Sequence, residues 1–292
     1  MRKFYLLVVS YYSSAWLARL IDSLDETPPD LYQLVVVNNA RRDRELRVLL
    51  QAFPRISLLE AHINLGFGRG CNLGLQWIWG RDRYARVWAI NPDASFLPDT
   101  IVRAREVCNR HPELAILGTQ IYKPDGTVWF ARGTFARKLG VIRTVAELPP
   151  AARNPSVDLV TSDWASACST IINLARFETC PQFDPEFFLY YEDFDFCQRY
   201  IMQGHRLAVA TQVAVIHQPS TTVNRFPVLK FEHATFSYLL VLERYASGAI
   251  VWLYFTRLLV HALVLRLLCR PAGRGKLAGV ARYLRYIPPD GV

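Results

Sequence analysis

Between residues 4 and 118 short apolar runs alternate with helical patterns, and few folds accommodate that order. Phe4–Ser10, Leu31–Asn38, Ile56–Ala61, Val87–Asn91 and Leu114–Gly118 read as strands rich in Val, Ile and Leu. Segments near 14–24, 43–52, 68–80 and 98–110 read as the helices between them. Strand and helix in repeated alternation predict an α/β fold with a mainly parallel sheet covered on both faces. In such sheets a ligand sits beyond the carboxyl ends of the strands. Ser10-Tyr11, Asn38-Asn39, Asn64 and Asn91-Pro92-Asp93 all fall at those ends, so topology alone predicts a site there.

The later chain is less regular. Lys123-Pro-Asp-Gly-Thr127 predicts a turn between two short strands. Residues 131–156 are basic, contain proline and show no clear period, which reads as a loop. Strand-like runs return at 157–162, 167–174 and Arg206–Ile216, the last ending at His217. Between them lies Phe188-Leu-Tyr-Tyr-Glu-Asp-Phe-Asp-Phe-Cys197, with Glu192, Asp193 and Asp195 walled by aromatics. Apolar walls and mutual repulsion push such carboxylates' pKa values up and apart, which is how a proton acceptor for neutral pH is made. The simpler reading is a helix over 191–203 whose acidic first turn faces the positive end of its dipole.

From Asn224 the pattern turns helical. Residues 249–269 are strongly apolar but contain Arg257, His261 and Arg266. A spanning helix needs roughly 20 largely uncharged residues, and arginines inside one are costly. The expectation is a helix lying at a membrane surface with its cations at the headgroups. The alternatives are burial against the domain or against a second copy of the chain, as a homodimer. The formal net charge is +9, and from Ser247 onward seven basic residues face one acid, Asp290. A basic tail beside an apolar helix suits anionic lipid; no nucleic-acid module is present. The division expected is 1–223 for the α/β domain and 224–292 for a helical, membrane-associating region. Six cysteines without CxxC spacing suit buried thiols in a reducing compartment rather than disulfides or zinc. The start, Met-Arg-Lys before about seven apolar residues, reads as a strand and not a signal peptide.

Individual motifs say little alone. Asn91-Pro92-Asp93 follows a strand and offers oxygen donors of the kind Mg²⁺ and Mn²⁺ take, yet the same tripeptide makes ordinary turns. His217 is a ligand candidate or a structural histidine. Asn64-Leu-Gly-Phe-Gly-Arg-Gly-Cys-Asn72 has glycines that permit close backbone approach to a ligand. It lacks the P-loop ending and the GxGxxG placement of a dinucleotide fold.

Taken in order, the motifs resemble the inverting family 2 glycosyltransferases of the GT-A fold, closest to rhamnosyltransferase-like enzymes of bacterial surface polysaccharides. The landmarks are Val8-Val-Ser-Tyr11, Val36-Val-Asn-Asn39, Asn64-Leu-Gly-Phe-Gly68, Asn91-Pro-Asp93, Phe183-Asp-Pro-Glu-Phe-Phe188, Tyr191-Glu-Asp-Phe-Asp195 and His217. The resemblance implies a Rossmann-like mixed sheet flanked by helices, with a helical extension. It implies that Asp93 holds a divalent ion, Mg²⁺ or Mn²⁺, on the diphosphate of a nucleotide-sugar donor, with His217 completing the shell beside Asn91. Ser10, Tyr11, Asn38 and Asn39 would line the nucleotide pocket, and Asn64 and Gly66 the ribose-diphosphate path. Asp193 would be the catalytic base, with Glu192 and Asp195 supporting it or binding the acceptor. The partners implied are a nucleotide sugar, a glycan or polyprenyl-linked acceptor and the inner face of the cytoplasmic membrane.

The chain departs from the family at three places. The family's Asp-Asn-x-Ser after the second strand is Asn38-Asn39-Ala40-Arg41, the usual Gly-Gly before Phe183 is Pro181-Gln182, and its Glu is Pro185. Two other readings follow. A nucleotidyltransferase on a similar sheet would need a Gly-rich basic loop after the first strand, where Ser10-Tyr-Tyr-Ser-Ser14 stands. An inactive glycan- or partner-binding scaffold draws on the asparagines in place of acids.

Overall fold

Phe4–Ser10 forms a strand, β1, with every residue buried. Burial on both faces selects an uninterrupted apolar run over an alternating one. The computed structural model describes residues 4–154, 156–218 and 226–286. After β1 come α1 (Ser14–Asp22), β2 (Tyr32–Asn38), α2 (Arg44–Gln51), β3 (Ser57–Glu60), α3 (Phe67–Trp79) and β4 (Arg86–Ile90). The second half holds β5 (Ala94–Phe96), α4 (Thr100–Arg110), β6 (Leu114–Tyr122), β7 (Val128–Phe130), β8 (Arg132–Ala136), β9 (Val141–Val145), β10 (Leu159–Val160), β11 (Ser169–Asn173), α5 (Glu192–Met202) and β12 (Arg206–His217). Three helices follow: α6 (Pro227–Tyr245), α7 (Gly248–Leu267) and α8 (Pro271–Leu284).

The main sheet has ten strands in the order β10-β12-β6-β11-β4-β1-β2-β3, with β5 on β12 and β7 on β6. β3, β2, β1 and β4 run parallel. β11 enters antiparallel between β4 and β6, and β12 runs parallel to β6. The expected mixed, mainly parallel sheet is what forms. The turn at 123–127 joins β6 to β7 as an antiparallel pair.

Residues 131–156 are not simply a loop. β8 and β9 pair at five positions as a separate hairpin. Arg-Gly-Thr-Phe-Ala and Val-Ile-Arg-Thr-Val are half polar, so their alternation is faint in the sequence. The expected domain boundary at 223/224 lies outside the described residues.

The C-terminal helices pack onto the α/β body. Gly275 and Gly279 of α8 lie directly against the backbone of α6 at Val228 and Glu232, where a side chain would collide. The deeper tie is ionic. Asp195 in α5 has no exposed surface. Its Oδ1 accepts from Arg244 at 2.9 Å and from the Tyr245 hydroxyl at 2.8 Å, both on α6. Its Oδ2 accepts from Arg199 at 2.7 Å. Arg244 also donates to Asp184 at 2.7 Å. Of the two roles expected for Asp195, supporting Asp193 or binding the acceptor, this geometry agrees with the first: both oxygens are taken by interior donors. Asp195→Ala should lower unfolding free energy by about 3–5 kcal/mol in urea titration, because two arginines lose a buried partner. A loss below about 1 kcal/mol would refute the clamp.

Candidate active site

Parallel pairing in register brings three strand ends into one row: Ser10 opposite Asn38, and Asn38 opposite Glu60. Ser10 and Asn38 have no exposed surface. The Ser10 hydroxyl lies 2.9 Å from that of Ser13. Asn38 donates to Glu60 at 2.8 Å and accepts from the Ala40 N–H at 3.2 Å. Arg47 holds the other Glu60 oxygen at 2.9 Å. The carboxylate absent from position 38 thus stands one strand over, on Glu60, whose side chain is 23% exposed. Sequence reasoning missed Glu60, although its signal was available: it ends an apolar strand as Ser10 and Asn38 do. Tyr11 is half-buried at the mouth, its ring 4.9 Å from that of Tyr12.

Asn39 and Gly66 turn out to serve the scaffold. Asn39 accepts from the Leu65 N–H and donates to Asn64 and to the Gly66 carbonyl. Gly66 has φ +81°, and a side chain there would strike the Phe188 carbonyl. That carbonyl accepts from the Phe67 N–H at 3.0 Å. Gly70 and Gly74 abut Val9 and Leu7 of β1. The glycine-rich stretch therefore packs α3 close against the sheet and the 183–188 loop. Asn64 remains exposed.

Asp93 and His217 are 124 residues apart and meet because β5 pairs with the end of β12, Ala94 opposite His217. The Gln218 N–H donates to the Asp93 carbonyl at 3.0 Å. His217 Nε2 lies 3.1 Å from Asp93 Oδ1 and 3.5 Å from Asn91 Nδ2. Trp129 packs on the imidazole at 5.2 Å, and the buried Nδ1 has no partner among the described residues. Adjacent ligands on an octahedral Mg²⁺ are about 3 Å apart, given bonds of about 2.1 Å. The Asp93–His217 separation fits that edge. Among the described residues no group of three or more His, Cys, Asp or Glu could hold an ion. Two protein donors suit a hard ion that takes the rest of its shell from water and phosphate.

The acids sit in the first turn of α5, so the dipole reading and the proton-acceptor reading apply to the same residues. Tyr190 and Tyr191 before them have φ +68° and +63°. Two such non-glycine residues cost of order 1–3 kcal/mol each and persist only when held from outside. Here Tyr191 packs on Tyr238 at 5.5 Å, and the Ser237 hydroxyl donates to the Leu189 carbonyl.

Asp193 stays partly open to solvent. It accepts from the Ala167 N–H at 3.1 Å and the Phe194 N–H at 2.8 Å. The next residue, Cys168, accepts from the Asn91 N–H at 3.0 Å through its carbonyl. Burial pushes the Cys168 thiol up, and the charges of Asp93 and Asp193 push it further, so both acids lie within electrostatic reach of it. Glu192 is buried, and its Oε2 has no partner among the described residues. Burial, and then the charge of Asp193, push its pKa up to about 8. Burial raises Asp193 as well, while its two N–H donors pull the other way.

Glu192→Gln tests this pair. Stability associated with neutral Glu192 is complete below about pH 4.5 and is lost as pH rises toward about 8. In urea unfolding, wild type should lose up to about 1.4 kcal/mol per pH unit relative to the variant across that window. Parallel stability curves would refute the assignment.

A family model described as Glycosyl transferase family 2 matches residues 5–179. An N-acetylglucosaminyl-diphospho-decaprenol L-rhamnosyltransferase of Mycobacterium tuberculosis is 24% identical over 258 residues, 82% of this chain and 84% of the relative. The fold is similar to that of GalNAc-T7, solved with UDP, GalNAc and Mn²⁺, at TM-score 0.61 and 13% identity. That match covers 83% of this chain and 48% of GalNAc-T7. It is also similar to the mannosyltransferase PcManGT of Pyrobaculum calidifontis, solved with GDP-Man and Mn²⁺. There the TM-score is 0.56 and the identity 13%, over 98% of this chain and 88% of the other. The family match stops before the acidic turn at 192–195.

Proposed function

The chain belongs to glycosyltransferase family 2, rhamnosyltransferase-like, and from that premise we propose an inverting transfer of a sugar, rhamnose by this likeness, from a nucleoside diphosphate to a hydroxyl of a lipid-diphosphate-linked glycan. The observation that carries the reading is the Asp193–Ala167–Cys168–Asn91 link. It sets a solvent-accessible carboxylate of raised pKa on the same edge as the Asp93–His217 donor pair.

Asp193 takes the proton of the acceptor hydroxyl, whose oxygen bonds to the anomeric carbon. The bond from that carbon to the diphosphate breaks on the opposite face, and one displacement inverts the centre. Neutral Glu192 beside it keeps a second negative charge away from the attacking oxygen. Asp93 and His217 would hold a divalent ion, Mg²⁺ or Mn²⁺, which when bound offsets charge on the departing diphosphate. Tyr11 supplies a ring for the nucleobase at the mouth. Glu60, flanked by Arg47, offers an acceptor beside a donor, which suits the imide edge of uracil or thymine or the equivalent edge of guanine.

The C-terminal region, 224–292, serves as the membrane-associating unit beside the catalytic domain, 1–223. One helix, α7, is long and apolar enough to cross a membrane by length and composition. Arg257 near its middle would cost about 2.5–3.5 kcal/mol at a bilayer centre. Of its described residues only Ala262 is buried. Trp252, Leu253, Val260, Leu263, Val264 and Leu267 are exposed. Arg257 and Arg266, nine residues apart and so on opposite sides of the helix, would reach the headgroups by extending their stems from a seat at the membrane surface. The placement is on the inner face of the cytoplasmic membrane, where nucleotide sugars are made.

Asp193→Asn should lower kcat by about 10²–10⁴-fold, the usual contribution of a general base, while UDP, TDP or GDP with Mn²⁺ still raises the melting temperature. Wild-type turnover in the variant would refute Asp193 as base. Glu60→Gln should weaken the preferred nucleotide about tenfold, as expected for a lost charged hydrogen bond, with kcat little changed.

A further inference from the structure

A cavity of about 250 Å³ opens where α6 meets the end of α8, lined by Glu186, Phe236, Arg282, Arg285 and Tyr286. Water occupies about 30 Å³ per molecule, so the space admits a group the size of a diphosphate. Arg282 lies in the last turn of α8 and Arg285, three residues on, caps it in helical backbone, so the two share a face. The Arg282 guanidinium lies 4.0 Å over the Phe236 ring, and its Nη1 is 3.1 Å from His233 Nδ1. Burial first, and Arg282 second, bring the His233 pKa down to about 4, so the imidazole is neutral and takes none of the arginine's charge. Arg285 donates through Nε to the Ala281 carbonyl at 3.1 Å. Among the described residues neither arginine forms an ion pair, although Glu186 stands on the same wall. Two cations, one held by stacking and one by the backbone, thus line an open cavity with charge to offer.

The position connects the cavity to the acid turn and to the lipid-facing helix. Tyr286 lies within electrostatic reach of Arg244, which holds Asp184 and Asp195. On the other side α7 packs against α8, with Phe255 and Tyr283 at 6.4 Å between ring centres.

We propose that this cavity binds the diphosphate of a polyprenyl-diphosphate acceptor, with Arg282 and Arg285 as its anion ligands. The proposal rests on the lipid-linked acceptor named above. A phosphate-bearing lipid is the shared chemistry, and either the carrier lipid or a bulk phospholipid headgroup supplies it. The carrier is favoured because a cavity walled by two arginines selects one anchored diphosphate, whereas headgroups need only a charged surface.

The test is flotation of the full-length chain with phosphatidylcholine vesicles of equal surface charge, carrying either decaprenyl diphosphate or phosphatidylglycerol. Wild type should bind the diphosphate vesicles at least tenfold more tightly. Arg282→Gln and Arg285→Gln should each remove most of that preference. Arg274→Gln, the same charge change outside the cavity, should shift it less than twofold. Equal binding to both vesicle types, or a preference that survives the double variant, would overturn the assignment. A melting temperature and a nucleotide-induced shift matching wild type certify each variant's fold, and Arg282→Lys separates charge from the forked geometry. A wild-type chain that binds the carrier yet glycosylates no carrier-linked sugar rejects the proposed reaction and leaves the cavity assignment standing.

Discussion

Asp195 is a carboxylate with no exposed surface, and two arginines and a tyrosine converge on it. That cluster fixes the acid-bearing turn of α5 to α6 and, through Asp184, to the loop that precedes the turn. A buried charge is stable only when its partners are in place. The interaction therefore makes the orientation of Glu192 and Asp193 conditional on the docking of the C-terminal helices. The acid-bearing turn of α5 and the C-terminal helices are thus tied together mechanically.

The site itself is held in an unfavourable state. Tyr190 and Tyr191 sit in left-handed backbone, and Glu192 is buried with an oxygen unpartnered among the described residues. Neither would survive in isolation. They are held by α3 on one side, where Gly66 admits the Phe188 backbone, and by Ser237 and Tyr238 of α6 on the other. The strain sits immediately before the first turn of α5, which carries Glu192 and Asp193.

Charge is divided by place. The α/β domain places its carboxylates at the ends of strands and at the first turn of α5. The helical extension concentrates cations beside an apolar helix. A negatively charged donor approaching metal-ready carboxylates and a negatively charged lipid approaching arginines would therefore use separate surfaces.

Strand runs rich in Val and Ile, their alternation with helices, and the ordered strand-end motifs were readable directly, because burial on both faces of a parallel sheet forces continuous apolar runs. On that basis the family resemblance, the sheet class and the apolar seventh helix were legible from residues alone. The half-polar hairpin at 132–145 was not, since its weak alternation leaves pairing to the tertiary fold. The roles within the motifs were also beyond reach. Ser10, Asn38, Asn39 and Gly66 read as ligand groups in sequence, and the structure adds that each is also tied into the scaffold, Asn39 and Gly66 by contacts to distant segments. Glu60 and the pairing of Asp93 with His217 depend on strand register. What residue pattern determined is which segments are buried and in what order they follow. What only the tertiary structure decided is which polar atoms are satisfied by the chain and which are left facing solvent, because that depends on partners many residues away.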